Sequence, residues 1–525
     1  MSGSAGQAAA AWKPKHNPWT VALVVTMAAF MEILDTTIVN VSLPHIAGSL
    51  SSTYEDATWT LTAYLVANGI VLTISGWLGK VFGRKLYFMI CIVMFTVSSF
   101  LCGMATSLGE LVVFRLMQGF FGGGLQPNQQ SIILDSFPPE KRAAAFGLTA
   151  IATVVGPVIG PTLGGWITDN FSWRWIFFIN VPFGILTTMG VMAVVENPPW
   201  ANKRKAPVDV IGISLITLGF SCLEVMVDRG EDANWFGSNF ICIMGVLAVL
   251  GLVGAVWWLL RADQPAVDLR VFRDRNFAVG TALMGAMGAL LYASAIIVPQ
   301  FAQQVMGYTA TLSGLLLSPG GIAVIILIPI VGKLMTVMSV RSLIAVGFAL
   351  MGMSLFFSAQ LLPALDFRHL VIFRMSQTAC LAFLFVPLST IAYSTIPERL
   401  NADASALFSM ARNVLGSLAI SGAAALLTER RQARQAHMTH WMTPYHQPFN
   451  AYTDQVRAAA QARGYAEGAA NQIAQHQLFS AFSHQVAILA YNEVFMILGI
   501  GAFLCVPFCF LLSSIKGDGK ARGAH

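Results

Sequence analysis

The sequence predicts an all-α membrane protein: fourteen transmembrane helices, arranged as two pseudo-symmetric six-helix bundles with two linking helices inserted between them. Three observations predict it. Of 525 residues, 56% are hydrophobic and only 11% charged, whereas a soluble globular domain carries roughly 25% charge. Apolar runs long enough to cross a bilayer, about 20 residues each, recur fourteen times. The two halves of the chain also repeat each other's short motifs at a nearly constant offset.

The runs lie near residues 19–43, 57–78, 86–106, 110–133, 144–168, 174–195, 208–227, 238–260, 277–302, 312–333, 342–362, 369–392, 403–427 and 486–513. An even number puts both termini on one side, and the loops say which. Lys80, Arg84 and Lys85, then Lys141 and Arg142, then Lys203, Arg204 and Lys205 follow the first three even-numbered runs. Arg261, Arg270, Arg273 and Arg275, then Lys333 and Arg341, then Arg399 follow the next three. The short loops opposite hold Glu55 and Asp56 without a base, then Arg174, Arg229 and Arg368 singly. Short basic loops stay in the cytoplasm, so both termini are expected there. Arg430, Arg431 and Arg434 oppose this assignment, but they open a loop, 428–485, near the length at which the rule lapses. Residues 1–18, rich in Ala, Gly and Ser, read as a disordered cytoplasmic tail. The run after them is too long for a signal-peptide core, so no cleavage is expected.

The repeat divides the chain. Phe114–Gln118, FRLMQ, recurs as FRMSQ at Phe373–Gln377. Pro127 recurs as Pro387, the PEKR of 139–142 as PERL at 397–400, and Gly76-x-Leu78 as Gly332-x-Leu334, all at offsets of 256–260 residues. A shared offset marks duplicated halves, a transporter habit, with substrate sites near the midplane between repeats. Residues 19–196 are then the first bundle and 197–262 the linking pair. Residues 263–427 are the first five helices of the second bundle, 428–485 a long external loop, and 486–525 the last helix and a tail.

An ionisable side chain at mid-bilayer costs at least about 2.5–3.5 kcal/mol, so it normally faces a protein-lined cavity. The candidates are Glu32, Asp35, Arg115, Glu224, Arg374, Arg412 and Glu493. Glu32 and Asp35 share one helical face, and that face is expected to point inward. A carboxylate withdrawn from water holds its proton more tightly, and a nearby arginine opposes that. Competition between proton, substrate and arginine for one carboxylate is a physical basis for coupling. The plainer reading is a structural Asp–Arg pair. Glu32 lies about a turn nearer the cytoplasm, where partial hydration is expected.

Arg115 opens the run R-x-x-Q-G-x-x-G-G-G, whose Gly119, Gly122, Gly123 and Gly124 permit close helix approach. The span-five run GPVIGPTLGG carries Pro157 and Pro161, which each remove a helix hydrogen bond and bend the rod. Its Gly156, Gly160, Gly164 and Gly165 offer a smooth face to a neighbour. This reads as a hinge or gate, or more plainly as a kinked helix. Between spans two and three stands GWLGKVFGRK, in which Gly76 and Gly83 flank a tight turn and Arg84 and Lys85 meet the membrane surface. Tyr292, Gln300, Gln377, Arg374 and Arg412 are the expected lining of a substrate cavity.

Several classes are excluded. There is no phosphate-binding G-x-x-x-x-G-K-[ST] loop and no H-E-x-x-H, so no nucleotide and no metal is expected; protons are the expected coupling ion and no cofactor is called for. His437, His440 and His446 read as solvated. The seven cysteines lie in apolar runs without metal-ligand spacing. Basic residues sit in scattered loops rather than a stripe, against nucleic-acid binding. A membrane enzyme needs clustered His, Asp or Glu at one face, which the sequence does not show, and a proton-channelling respiratory subunit needs intramembrane Lys paired with Glu, where the spans hold almost no Lys; these two stay as distant alternatives.

At this point four motifs coincide in order: LDTTIVNVSLPHI, GWLGKVFGRK, RLMQGFFGGG and GPVIGPTLGG. The chain resembles the major facilitator superfamily, specifically its 14-span drug:proton antiporters, over nearly its whole length. The resemblance implies an inner-membrane exporter, not an enzyme, that moves hydrophobic or amphipathic drug-like compounds outward against protons. It implies proton coupling through Asp35 and Arg115, and that Gly156–Gly165 limits leakage. A dedicated exporter of one metabolite (a siderophore, an antibiotic or an aromatic acid) stays open beside it. The resemblance also implies docking of an EmrA-like periplasmic adaptor and a TolC-like outer-membrane channel, with 428–485 the suspected contact. One departure stands out. The loop motif usually carries an Asp where this chain has Lys80, so the contact that Asp makes with a neighbouring helix end is expected to be missing or replaced, through Asp135 if anywhere.

Overall fold

The computed structural model describes residues 15–198, 208–230, 233–360, 366–440, 442–443 and 445–514. The basic residues Lys203, Arg204 and Lys205, most of the expected N-terminal tail and residues 515–525 lie outside the described residues, as do the side chains of Glu55 and Arg399.

The first half comprises α1 (Pro18–Ser49), α2 (Tyr54–Phe82), α3 (Arg84–Met104), α4 (Leu108–Gly122), α5 (Leu125–Ser136), α6 (Pro139–Asn170), the short α7 (Trp175–Phe178) and α8 (Asn180–Val194). The linking pair is α9 (Val210–Arg229) and α10 (Asn239–Arg261). The second half comprises α11 (Arg275–Gln304), α12 (Ala310–Val337), α13 (Val340–Ser358), α14 (Phe367–Cys380), α15 (Ala382–Ala392), α16 (Asn401–Thr439), α17 (Gln447–Ala462) and α18 (Glu467–Cys509).

Among the described residues, twelve helical stretches, counting α7 with α8 and α14 with α15 as one each, are long and apolar enough to cross a membrane, and α6, bent by 41° at residue 158, makes thirteen. The remaining expected span, the fourth, 110–133, is present in two pieces, α4 and α5. Pro127 cannot donate to the carbonyl four residues back and its ring crowds that carbonyl, so the rod breaks at Gly123 and Gly124. The second half repeats the break, at Leu381 between α14 and α15. Helix starts follow capping chemistry. Asn17 accepts from the Trp19 amide, Ser107 from Glu110, Asp274 from Phe277 and Asp366 from His369.

α9 and α10 pack where two glycines meet: a Cβ on Gly251 would lie 2.6 Å from the Gly219 amide nitrogen. Asp209 clamps the pair, accepting from Gly212, from Trp258 Nε1 at 2.8 Å and from the Ala266 amide at 3.0 Å. α9 also touches both bundles. Thr62 of α2 donates to Asp228, and Ser417 of α16 donates to Glu224 Oε1 at 2.6 Å.

The expected long loop 428–485 is largely helix. α16 runs on to Thr439, α17 follows, and α18 begins at Glu467. The three arginines that opposed the charge rule sit on this extension. Arg430 and Arg434 pair with Glu493 of α18, and Arg431 Nη2 donates to Gln304 Oε1 at 2.9 Å.

Candidate functional site: a buried ion pair and the seam between bundles

Asp35 and Arg115 are brought together with no solvent exposure at all. Arg115 Nη1 donates to Asp35 Oδ2 at 2.6 Å and to Gln118 Oε1 at 2.8 Å, and its Nε to the Thr60 carbonyl at 3.3 Å. The guanidinium lies over the Tyr64 ring, 4.2 Å from its centroid. Asp35 Oδ1 accepts from Gln118 Nε2 at 2.9 Å and from Asn180 Nδ2 at 2.8 Å. Asn180 in turn reaches Ser99 Oγ at 3.0 Å. The carboxylate thus has one charged donor and two amide donors, which suits an ionised form.

The expectation that this face lines a cavity is corrected here. In this conformation Asp35 is sealed inside the first bundle by α1, α4 and α8. Glu32, expected to be partly hydrated, is also buried, at 2% exposure. It looks elsewhere: Oε1 accepts from Asn68 Nδ2 at 3.1 Å and Oε2 from Gln126 Nε2. Gln126 Oε1 accepts from Arg412 Nη2 of the second bundle. Glu32, not Asp35, therefore stands at the seam between the halves.

The other expected cavity residues distribute unevenly. Arg412 is buried at the seam and also donates to Asn413 Oδ1 at 3.2 Å. Tyr292 packs on Gly416 of α16, and Gln300 is half-buried. Arg374 and Gln377 are enclosed in the second bundle instead of facing a cavity. Arg374 Nη1 donates to Ser294 Oγ at 2.8 Å and Gln377 Oε1 at 3.3 Å, and Gln377 Nε2 to Ser358 Oγ at 2.8 Å. Each of these residues stands 259 positions after a member of the first site: Asp35 and Ser294, Ser99 and Ser358, Arg115 and Arg374, Gln118 and Gln377. The second half keeps the arginine and glutamine and puts a hydroxyl where the first has its carboxylate.

The glycine stripe of α6 packs onto α1 itself. A Cβ on Gly156 would come within 2.6 Å of Ile33 Cγ2, one on Gly160 within 2.8 Å of Thr37 Cβ, and one on Gly164 within 2.8 Å of the Ile38 carbonyl; Gly165 leaves 3.7 Å to Val41. Pro157 and Pro161 lie inside this helix, at and after its bend.

At the end bearing the basic loops, Gly83 turns the chain with φ of 82°. Arg84 pairs with Asp135 and donates to the Ser131 carbonyl at 3.2 Å, and Lys85 Nζ donates to the Met192 carbonyl at 2.8 Å. The unusual Lys80 pairs with Asp403, in the first turn of α16. The contact of the usual Asp is replaced by an ion pair of opposite polarity across the bundles, and Asp135 serves Arg84 instead. Gly76 lets α16 approach: a Cβ there would lie 2.9 Å from Asp403 Oδ1 and 3.0 Å from the Ala402 carbonyl oxygen. Tyr393 Oη donates to Gln130 Oε1 at 2.8 Å, another bond between the halves.

Asn180, Asn68 and Gln126 were not among the expected site residues. The signal for them was polarity out of place: an asparagine opening an apolar span, and Leu125–Gln130 with four amide side chains in six positions.

Two helical halves joined by a helix pair, with an ion pair sealed in one of them, define the class as a secondary transporter. The Major Facilitator Superfamily model matches residues 25–420. The chain is 35% identical to the multidrug export protein EmrB of Haemophilus influenzae, over 91% of this chain and 92% of that one. It is 34% identical to the EmrB of Escherichia coli K12, over 96% and 97%. Among solved structures, that of the proton:xylose symporter XylE aligns with a TM-score of 0.59 at 13% identity, over 94% of this chain and 95% of that one; this likeness speaks to fold alone. The chain belongs to the Major Facilitator Superfamily, in its EmrB-like group.

Proposed function

We propose that the protein is a proton-driven antiporter that exports hydrophobic or amphipathic drug-like compounds across the bacterial inner membrane by alternating access. Both termini lie in the cytoplasm on this reading. The observation that carries it is the Asp35–Arg115 pair: an acid and its counter-charge held out of solvent, in a chain similar over nearly its whole length to multidrug export proteins. Asp35 exchanges its proton when movement of the bundles loosens the Gln118 and Asn180 amides around it. Each proton entering down about 100 mV supplies about 2.3 kcal/mol, enough to hold a steep gradient of an uncharged compound. The helical arm of α16, α17 and α18 is the surface offered to an adaptor. Several dyes, each measured in vesicles under an imposed pH gradient with and without an uncoupler, test the reading. Extrusion of more than one dye, abolished by the uncoupler, is expected. Transport of a single compound favours a dedicated exporter, and transport indifferent to the uncoupler contradicts proton coupling.

A further inference from the structure

The buried chain Glu32–Gln126–Arg412 crosses from one bundle to the other. Its bonding pattern leaves little freedom. A guanidinium can only donate, so Gln126 must turn Oε1 toward Arg412. Its Nε2 then faces Glu32 Oε2, which accepts from it while that oxygen carries no proton. The charge of Arg412 has one carboxylate within this chain of bonds, reached through a single amide.

We propose that Gln126 is a relay through which a proton arriving on Glu32 releases Arg412, and with it the deepest bond holding the basic-loop ends of the bundles together. This deepens the proposed antiport by naming two positioning residues for it, and it rests on that reading for its direction. A proton on Glu32 Oε2 makes that oxygen a donor toward Gln126. The Gln126 amide satisfies it by turning its oxygen toward Glu32, which presents an NH2 group to a guanidinium. Donor then faces donor, and Arg412 keeps Asn413 on its own helix but loses its acceptor across the seam and its nearby negative charge. The bond lies nine residues along α16 from Asp403, about 13 Å deeper than the Lys80 pair. Its loss weakens the closure that Lys80–Asp403, Asn401–Asp135 and Tyr393–Gln130 complete nearer the surface.

The titratable groups around Glu32 are few. Asp35 stands on the same helix, Tyr64 comes from α2, Tyr292 from α11 and Arg412 from α16. α6 between Arg142 and Asp169, and α8 throughout, carry none. Asp403 and Asp135 also titrate, but in ion pairs at the bundle ends, and a substitution at Gln126 leaves those pairs intact.

The test measures the distance between spin labels on Glu140→Cys and Thr395→Cys, exposed positions near the basic-loop end of each bundle, in full-length protein without substrate. With the native relay, acidification is expected to lengthen the distance. Glu32→Gln is expected to hold the long distance at every pH. Gln126→Met and Arg412→Met are each expected to flatten the pH response, the double variant to behave like either single one, and Arg412→Lys, which keeps a donor, to restore part of it. A full pH response in Gln126→Met overturns the proposal; if that variant does not fold, the same result in Arg412→Met does so. Because no substrate is present, failure of drug export leaves this readout untouched, and the two ideas fail separately.

Discussion

Asp35 sits among donors that an ionised carboxylate needs, and Arg115 pairs with it out of solvent. Removing one member of a buried ion pair leaves a charge without a partner and typically costs about 3–5 kcal/mol. Arg115→Leu and Asp35→Asn, which puts an NH2 group where one acceptor oxygen stood, are therefore each expected to lower the thermal midpoint of the detergent-solubilised protein, and the double variant to recover part of the loss. Midpoints equal to the parent's in both single variants would mean that the pair is not holding charge. The duplicated site supplies a complementary case. Arg374 is 1% exposed, has only neutral acceptors, and its Nε lacks a partner among the described residues. Ser294→Asp gives it the acid that the first half has at the same repeat position, and the midpoint is expected to rise; a fall would show that the second site has closed around the hydroxyl. The sequence made the acids and arginines visible, because charge inside an apolar run is conspicuous. It did not reveal that Asp35 would be sealed while Glu32 reached the seam, since both lie on one helical face and only the neighbouring helices decide what each meets.

At the scale of the helix, the α6 stripe explains why the proline-rich span matters. It seats α1, and so fixes the height of Glu32 and Asp35. Gly164→Ala would force a Cβ to 2.7 Å from Ile38 Cγ1 and 2.8 Å from the Ile38 carbonyl oxygen. Overpacking of that kind costs about 1–3 kcal/mol, and loss of both stability and transport is expected. Gly165→Ala, one residue on, meets its nearest neighbour at 3.7 Å and is expected to be near neutral in the same thermal and efflux measurements. If the two variants behave alike, the stripe does not clamp α1. Helix positions were largely legible from apolar length alone. The split of span four was not, because 110–133 read as a single span running through Gly123 and Gly124, and the extension of α16 to Thr439 was not, because Arg430–Arg434 is too charged to read as a continuing helix until its partners are known.

For the whole molecule, the two halves meet at the basic-loop end through charges that the sequence presented as a departure. Lys80 replaces the expected acid, and Asp403 of the opposite bundle meets it. Lys80→Glu is expected to open that end, raising the reactivity of Ser405→Cys, buried two residues from Asp403, toward a membrane-impermeant thiol reagent, and Lys80→Glu with Asp403→Lys to close it again. No recovery in the double variant would assign Lys80 to the surface instead of the gate. The duplication was readable from short motifs at one offset. The unequal chemistry of the halves, a carboxylate in one and a hydroxyl in the other, became clear only when the four matched pairs were seen in contact.

The most direct measurement is dye extrusion by Asp35→Asn in vesicles carrying an imposed pH gradient, at matched protein levels. An export cycle driven through this acid requires extrusion to vanish while the protein still inserts in the membrane at the parent's level. Undiminished, uncoupler-sensitive extrusion by the variant would contradict it and leave Asp35 a packing residue.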